Sequence, residues 1–411
     1  MPEFLKLTAP DEALKRFLAN LPPAHPRTEM LPVLEAAGRV LAKDVYALEA
    51  LPSFRRSTVD GFAVQASSTF GASDSLPVYL NVVGESPMGA EPNFQVEKGQ
   101  AAVIHTGGML PEGANAVVMM EYTQEARAGE VEVQRAVSVG ENVIEPGEDV
   151  KPGELLLEAG KEVSPAVVGG LMSQGIAEVE VVKPPRIGIL SSGDEVVEPQ
   201  QVPLPGQVRD VNSYSLSALV RRFGGEPLRF GISSDREEDM RARVRSAMDA
   251  CDALVITAGS SASVRDLTAR ILAEMGQPGV LVHGIRFRPG KPTILAVCDG
   301  KPAIGLPGNP VSALVVGSLF IKPMVHHLAG RKTTAPMAYL QARLSTNTPS
   351  QAGKEEWFPV TLRQDERGWV AEPIFYKSNL IFALAKADGL IRVPLDANGL
   401  EAGQVVEVYF L

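Results

Sequence analysis

The stretches RIGILSSGDE, residues 186–195, and PAIGLPGNPVSALVV, residues 302–316, decide the fold of this 411-residue chain. In each, a short apolar run typical of a buried strand leads directly into glycine and small polar residues. Between them, the strand patterns PLRFGIS and DALVITAG alternate with the helical patterns REEDMRARVRSAMDA and LTARILAEM. Strands that alternate with helices predict a parallel α/β sheet with helices on both faces. We assign this domain to residues 185–331.

The remaining sequence predicts three further pieces. Residues 50–151 hold short β-type runs between glycine and proline turns, which predict a β-rich domain. Residues 1–49 and 152–184 form a discontinuous N-terminal or linker domain around it. The first of these segments should contain an amphipathic helix near 14–21 and a second helix over 32–41. Residues 332–411 predict a small C-terminal β domain.

Charge excludes some functions. The chain has 39 Lys and Arg against 49 Asp and Glu, a formal net charge of −10, which argues against a general nucleic-acid or anionic-membrane binder. It does not exclude a small anionic substrate, since a few basic residues can reverse the field inside one cleft. With 45% apolar residues, the chain can bury sizeable cores.

The sequence also predicts a cytoplasmic location. Cys251 and Cys298 lie in separate apolar runs, which indicates neither a disulfide scaffold nor an oxidising compartment. The N-terminal residues lack the apolar core of a signal peptide. The longest apolar stretch, residues 311–325, is interrupted by Ser312, Gly317 and Lys322, so we expect no membrane span.

Three loops are expected at the carboxyl ends of the α/β strands, where such sheets bind ligands. They are ILSSGDEVVEP (189–199), ITAGSSASVRD (256–266) and GLPGNPVSA (305–313). A glycine-bearing loop that opens a helix is a ready anion site. Each loop alone fits an ordinary strand-to-helix turn equally well, but three in one sheet favour a ligand site.

Charged residues cluster in three other segments. RFRPGKP (286–292) places Arg288 and Lys291 around a turn, which is either a solvated hairpin or, as we favour, a clamp for an oxyanion. LPSFRRSTVDGFAV (51–64) is denser in hydrogen-bond donors than packing requires. EPGEDVKPG (145–153) is either an acidic turn or a set of carboxylates for Mg²⁺, which binds carboxylate and phosphate oxygens. We find no Ser-His-Asp order, no P-loop and no dinucleotide fingerprint.

Together these segments resemble the molybdopterin molybdenumtransferase (molybdenum insertase) family, to which the E domain of gephyrin is related. The resemblance covers essentially the whole chain and rests on segments that follow in the family's order: PSFRRSTVDGFAV, HTGGMLPEGANAVV, EPGEDVKPGELLL, ILSSGDEVV, RPGKPTILA and GLPGNPVSALV. It implies an elongated α/β plus β fold with a central α/β sheet domain of the molybdopterin-binding type. It also implies a homodimer of four-domain subunits.

The resemblance implies a reaction as well. The enzyme would insert molybdenum from molybdate into adenylylated molybdopterin, cleaving the phosphoanhydride and releasing AMP, with Mg²⁺ as cofactor. Its expected partners are adenylylated molybdopterin, molybdate and a second copy of the chain, with contacts to a molybdopterin adenylyltransferase or recipient molybdoenzymes. Neither nucleic acid nor membrane is expected.

Site residues follow from the same resemblance and from the loops above. The expected catalytic residues are Asp60, Thr106, Asp149, Glu195 and Asp266. The expected substrate-binding residues are Ser192, Gly193, Asp194, Asp235, Gly259, Ser261, Arg288, Lys291, Pro307, Gly308, Asn309, Pro310 and Ser378. Asp194, Glu195 and Asp266 would hold Mg²⁺. Asp60 and Thr106 are expected to face this site across the dimer interface. From charge alone, we also infer a molybdate clamp at Arg55 or Arg56.

The chain departs from the family's pattern at several positions. Residues that replace the usual ones are Ala258 and Ser263 (for Gly), Val103 (for Arg), Asn115 (for Asp), Arg288 (for Lys) and Lys354 (for Arg). Replacing glycine narrows backbone freedom near a phosphate. A non-catalytic molybdopterin-binding or scaffold paralogue is therefore the alternative function. A stand-alone molybdopterin adenylyltransferase ranks last, because it explains only residues 186–330.

Overall fold

The computed structural model describes residues 7–258, 262–332 and 337–410. They form two compact units. One unit comprises the described residues up to 42, residues 159–166 and the chain from 178 onward. The other comprises residues 43–158 and 167–177. The four-domain boundaries expected from the sequence stay a prediction.

The N-terminal part contributes α1 (Pro10–Ala19) and β1 (Thr28–Pro32). Pro10 occupies the first turn, where its missing N–H costs nothing, and Ala13 and Phe17 are fully buried. The predicted helix over 32–41 is wrong, because residues 33–38 form turns instead. The Gly38 N–H donates to the Val163 carbonyl, and its φ of +80° ends any helical path.

The second unit is rich in β-structure, as expected. Its main sheet has six strands in the order β7-β4-β6-β5-β9-β8, and only the β5–β6 pair is parallel. Two-stranded pairs join β2 to β11 and β3 to β10. Short 3-10 turns cover Ala66–Thr69 and Met120–Tyr122. The strands are β2 (Val45–Tyr46), β3 (Arg56–Ser57), β4 (Gly61–Val64), β5 (Val78–Glu85), β6 (Gln100–Ile104), β7 (Ala116–Met119), β8 (Thr123–Arg127), β9 (Glu130–Val133), β10 (Val143–Ile144) and β11 (Leu155–Leu157).

An α/β sheet domain follows α2 (Pro165–Ser173) and β12 (Glu178–Val182), the strand that pairs with β1. Its elements are β13 (Arg186–Ser192), β14 (Val196–Val197), β15 (Val208–Arg209), α3 (Asn212–Arg222), β16 (Glu226–Ser233), α4 (Glu237–Ala250), β17 (Ala253–Ala258), α5 (Ala262–Glu274), β18 (Pro278–His283), β19 (Phe287–Arg288), β20 (Ile294–Cys298), β21 (Lys301–Pro307) and α6 (Pro310–Leu328). Ile187 and Ile189 pack into a core with α3 and α6. Leu190, on the opposite face of β13, packs with α4 and α5. Helices on both faces are therefore confirmed.

The expectation of a wholly parallel sheet is wrong at one edge. The order is β16-β13-β17-β21-β20-β18, and the first four strands are parallel. β20 and β18 run antiparallel to their neighbours. The reason is the two-residue connection Asp299-Gly300, with φ values of +48° and +83°, which closes a tight hairpin between β20 and β21.

The C-terminal β domain is confirmed, and its sheet closes into a barrel. The order β19-β24-β25-β22-β28-β26 is completed by a β24–β26 pairing. β19 comes from the α/β domain and adds to β24 in parallel. The elements are β22 (Tyr339–Leu344), β23 (Thr348–Pro349), β24 (Glu355–Asp365), β25 (Gly368–Pro373), α7 (Phe382–Ala385), β26 (Gly389–Val393), β27 (Gly399–Leu400) and β28 (Val405–Tyr409).

Helix α6 corrects one detail of the sequence analysis. Its 19 residues are long and apolar enough to cross a membrane by length and composition alone, whereas we expected the stretch to be too short and too polar. Of its most apolar window, 67% is buried inside the protein. Val316, Phe320 and Met324 belong to the core of the α/β domain, so the helix already has its apolar partner.

Candidate functional site

The three candidate loops leave one edge of the α/β sheet. β13, β17 and β21 are adjacent parallel strands, and their registers pair Ser191 with Thr257 and Thr257 with Leu306. The Ser192 hydroxyl donates to the Thr257 carbonyl at 3.3 Å. Because neighbouring parallel strands end together, the loops after them leave the same edge of the sheet, the edge at which open α/β sheets generally bind ligands.

A cleft of about 820 Å³ opens beside the third loop; we call it the cationic cleft. Arg288, Lys291 and Lys377 supply three exposed cations. Glu356 is the one acid among the described residues that line it. Predicted site residues that also line it are Pro307, Gly308, Asn309 and Ser378. The cleft is therefore positive although the chain is acidic overall.

Ser378 and Asn309 meet in this cleft. The Asn309 side-chain amide donates to the Ser378 hydroxyl at 3.0 Å, and the Val311 N–H donates to the Ser378 carbonyl at 3.2 Å. Asn309 precedes α6 as expected, but its side chain does not cap the helix. Pro310 takes the first helical position, as predicted. The C-terminal β domain is thereby joined to the GLPGNP loop.

Glu356 is a site residue that sequence reasoning missed. Its side chain is 6% exposed, and its Oε1 lies 3.2 Å from the Nε of Arg288. The Ser350 hydroxyl donates to its Oε2 at 2.7 Å. Burial, and then the charge of Glu356, raise the pKa of the neighbouring Tyr376. The sequence signal that could have identified Glu356 was the pair of acids at the start of the apolar strand EEWFPV.

A second cleft of about 670 Å³, the serine cleft, lies along the first and third loops. It is lined by Ser191, Ser192, Glu195, Thr257, Asn212, Gly308, Asn309 and Pro310, among others. Asn212, also missed from the sequence, donates its amide to the Gly308 carbonyl at 2.7 Å. Because Gly308 and Asn309 line both clefts, one ligand could extend along the loop from one to the other.

Gly193 shapes the turn that carries the acids of the first loop. Its φ is +141°, a conformation that favours glycine. A Cβ there would lie 2.6 Å from Oε2 of Glu195. A glycine is therefore required for the half-buried Glu195 to approach the backbone.

Asp194, Glu195 and Asp235 form a carboxylate group at the same edge. The Asp235 N–H donates to Oδ1 of Asp194 at 3.1 Å. Burial raises the pKa of Asp235, and repulsion from Asp194 and Glu195 adds to the rise. Its Oδ1 is buried without a hydrogen-bond partner in the described chain. The geometry thus disfavours three negative charges here unless a cation joins them.

Of the other predicted residues of the second loop, the structure describes Asp266. Asp266 is exposed on α5. Gly259 and Ser261 lie outside the described residues. No group of three or more His, Cys, Asp or Glu converges as a ready metal site within the described ranges.

In the β-rich unit, the structure brings Asp60 and Thr106 together. Asp60 Oδ1 accepts from the Thr106 N–H at 2.7 Å and from its hydroxyl at 3.1 Å. These bonds lower the pKa of Asp60. His105, which sequence reasoning missed, places Nδ1 3.7 Å from Asp60 and Nε2 3.2 Å from Glu85. His105 directly precedes Thr106 in the sequence, and this position was the signal that could have marked it as a site residue.

The remaining candidates in this unit do not join that cluster. The Asp149 N–H donates to the Leu51 carbonyl, and its exposed side chain makes no ion pair or hydrogen bond within the described chain. Arg55 forks onto Glu145 through Nε and Nη2, with a shortest distance of 2.7 Å. A molybdate clamp at Arg55 is therefore disfavoured, because the guanidinium is already engaged. Arg56 is exposed on β3.

Family models match nearly the whole chain. A model of the MoeA N-terminal region (domain I and II) matches residues 8–175, one of a probable molybdopterin binding domain matches 188–327, and one of the MoeA C-terminal region (domain IV) matches 341–411. A molybdopterin molybdenumtransferase of Bacillus subtilis is 32% identical over 93% of this chain and 90% of its own length. The chain belongs to the MoeA family of molybdopterin molybdenumtransferases. It is therefore a transferase of molybdenum cofactor biosynthesis.

Other MoeA-family proteins agree in sequence and fold. A molybdopterin molybdenumtransferase of Haemophilus influenzae is 30% identical over 97% of both chains. The crystal structure of a molybdopterin biosynthesis moeA protein from Pyrococcus horikoshii OT3 superposes with a TM-score of 0.84 at 31% identity, over 99% of this chain and 100% of that one. A stand-alone adenylyltransferase would not explain the family matches outside residues 188–327.

One position that departs from the family pattern now has a structural role. Asn115 Oδ1 accepts from the Ala66 N–H at 2.8 Å and so fixes the turn after β4. An Asp carboxylate would accept the same bond. Position 115 therefore has a structural role that either residue can fill, and this contact does not explain the replacement itself. Ala258 ends β17 in a buried position, so its methyl group is accommodated.

Proposed function

We propose that this MoeA-family chain inserts molybdenum from molybdate into adenylylated molybdopterin, with cleavage of the phosphoanhydride and release of AMP. The observation that carries the proposal is the cationic cleft at the strand ends of the α/β domain. Arg288, Lys291 and Lys377 give this cleft a positive charge, although the net charge of the whole chain is −10. Anionic substrates are the ligands that such a local reversal of charge favours.

The two clefts would divide the substrate between them. In the cationic cleft, Arg288 and Lys291 would bind the oxyanion, and Ser378 and Asn309 would add polar contacts. In the serine cleft, the hydroxyl of Ser192 and the glycine-bearing loops would contact the phosphate. Asp60 is a further proposed catalytic residue, as the resemblance implies, and its carboxylate accepts two hydrogen bonds from Thr106 that favour the ionised form.

The carboxylates of Asp194, Glu195 and Asp235 support a proposal that Mg²⁺ binds here. Asp235 has a raised pKa and an unpartnered buried oxygen beside Asp194 and Glu195, and a cation would relieve both. Mg²⁺ commonly takes only one or two carboxylates and completes its shell with water and phosphate oxygens. We propose Asp194, Glu195 and Asp266 as the residues that hold it; the contacts of Asp235 support the first two, and Asp266 rests on the resemblance alone. The ion would supply neutralisation of the phosphoanhydride charge.

We also propose that the enzyme works as a cytoplasmic homodimer. The resemblance to the insertase family supports this assembly and this location. Contacts with a molybdopterin adenylyltransferase and with recipient molybdoenzymes belong to the same proposal. Light scattering after gel filtration tests the assembly, and a monomer would refute it.

The test is AMP release from adenylylated molybdopterin with molybdate and Mg²⁺. We expect Asp60→Asn and Asp266→Asn to slow release by at least about 10²-fold, a typical loss for one positioned catalytic group. Matched controls are Asp74→Asn and Asp396→Asn, which alter exposed carboxylates in each unit. Wild-type rates in both test variants would refute the assignments. A wild-type chain that binds the pterin but never releases AMP would establish the non-catalytic alternative.

A further inference from the structure

A buried acid lies in the wall of a cleft that otherwise attracts anions. The Glu356 side chain is 6% exposed, and no other acid lines the cleft within the described residues. A buried carboxylate is costly unless both oxygens have partners. On its own it would also repel an anionic ligand. Its presence therefore needs an explanation other than attraction.

The contacts of Glu356 supply that explanation. Oε1 lies 3.2 Å from Nε of Arg288, and Oε2 accepts from the Ser350 hydroxyl at 2.7 Å. The backbone is fixed as well, because β19 pairs with β24 so that Arg288 is in register with Glu356. The two Nη nitrogens of Arg288 donate no hydrogen bond within the described chain, and the Arg288 side chain is 58% exposed. One edge of the guanidinium is held while its Nη groups remain available.

We propose that Glu356, whose second oxygen is satisfied by the Ser350 hydroxyl, is a positioning residue that fixes the Arg288 guanidinium for an oxyanion in the cationic cleft. The proposal rests on the function proposed above, in which the cleft binds molybdate or the substrate phosphate. A planar guanidinium recognises an oxyanion through two parallel N–H bonds, which only a defined orientation permits. Glu356 provides that orientation through the opposite edge. It touches no substrate and acts only through Arg288.

The test is a double-mutant cycle with Glu356→Gln and Arg288→Met. In the AMP-release assay, we expect Glu356→Gln to raise the KM for molybdate at least about fivefold, the scale of one lost charge-assisted contact, with kcat nearly unchanged. In the Arg288→Met background, Glu356→Gln should raise KM no further. An unchanged KM in the single variant, or additive effects in the double variant, would overturn the proposal.

Binding of molybdate alone, measured by calorimetry, repeats the cycle without turnover. If the wild-type chain releases no AMP, the proposed function fails, but the dissociation constants still decide the role of Glu356. If the wild type is active and the cycle is additive, only the inference about Glu356 fails. The two failures are therefore distinguishable.

A neighbouring residue provides the matched control. Glu355 is equally buried, with its side chain 4% exposed, but it pairs with Arg392 and accepts from the Trp357 indole N–H at 2.7 Å. Glu355→Gln should lower the urea midpoint without changing the KM for molybdate. Should Glu356→Gln fail to fold, Ser350→Ala removes one partner of Glu356 near the surface. It should raise KM by a smaller factor, and this rise should also vanish in the Arg288→Met background.

Discussion

The turn that presents Arg288 and Lys291 depends on one glycine, and Gly290→Ala should be strongly destabilising. Gly290 is buried with a φ of +124°, a conformation that costs an L-residue about 1–2 kcal/mol. A Cβ there would lie 2.2 Å from Cγ2 of Val316. Val316 is fully buried in α6, and a β-branched side chain in a helix has essentially one rotamer available. The neighbour therefore cannot turn away.

The two effects add because they arise from different atoms. Overpacking of a core commonly costs about 1–3 kcal/mol, so the free energy of unfolding should fall by about 2–5 kcal/mol in total. Gly368→Ala is the control, since Gly368 has a φ of +109° but nothing within 4 Å of a Cβ. That variant should lose only the backbone part, about 1–2 kcal/mol.

Urea unfolding followed by circular dichroism measures both variants. The KM for molybdate gives a second readout, because a turn displaced from α6 also displaces Arg288 and Lys291. Gly290→Ala should raise this KM, and Gly368→Ala should not. Equal losses of stability in the two variants would refute the packing argument. If Gly290→Ala is destabilised but keeps a normal KM for molybdate, the claim that this turn positions Arg288 and Lys291 in the cleft is refuted.

Three further predictions follow from the contacts described above. Thr106→Val removes one hydrogen-bond donor from Asp60, so the pKa of Asp60 should rise, which an NMR titration of the carboxyl group measures. On acidification, the stability that ionised Asp60 confers should therefore be lost at a higher pH in the variant than in the wild type. Added Mg²⁺ should lower the raised pKa of Asp235 in the same experiment, by less in Asp194→Asn, and no response to Mg²⁺ would refute the proposed metal site. Phe17→Ala empties a fully buried position under α1 and should lower the free energy of unfolding by about 3–5 kcal/mol in urea.

The shared edge from which the candidate loops leave the sheet could be predicted because it depends on local patterns. The apolar runs before Ser191, Thr257 and Leu306 are consecutive buried strands, and parallel strands place their carboxyl ends on one edge. The antiparallel edge was predictable in principle from Asp299-Gly300, since Asp-Gly between two apolar runs is a hairpin signal. It was missed because the surrounding alternation of strands and helices favoured a uniform parallel sheet.

The partners of the site residues could not be predicted in the same way. Arg288 and Glu356 are 68 positions apart, and they meet only because β19 leaves its own domain to join the C-terminal barrel. Neither residue's sequence neighbours carry that information. Ser378 reached the predicted site through the resemblance alone, and its contact with Asn309 likewise depends on tertiary packing.

The charge pattern of the sequence singled out Arg55 and Arg288 alike as anion clamps, and the structure separates them by what they already bind. Arg55 donates from both Nε and Nη2 to Glu145, so one edge of its guanidinium is occupied. Arg288 approaches Glu356 most closely through Nε, at 3.2 Å, and the second carboxylate oxygen accepts from Ser350 instead. Because a bidentate ligand needs two donors, an acid that occupies fewer N–H groups of a guanidinium competes less with an anion for that guanidinium. A basic residue in an acidic protein is therefore a stronger binding-site candidate when its own counter-ion leaves more of its donors free.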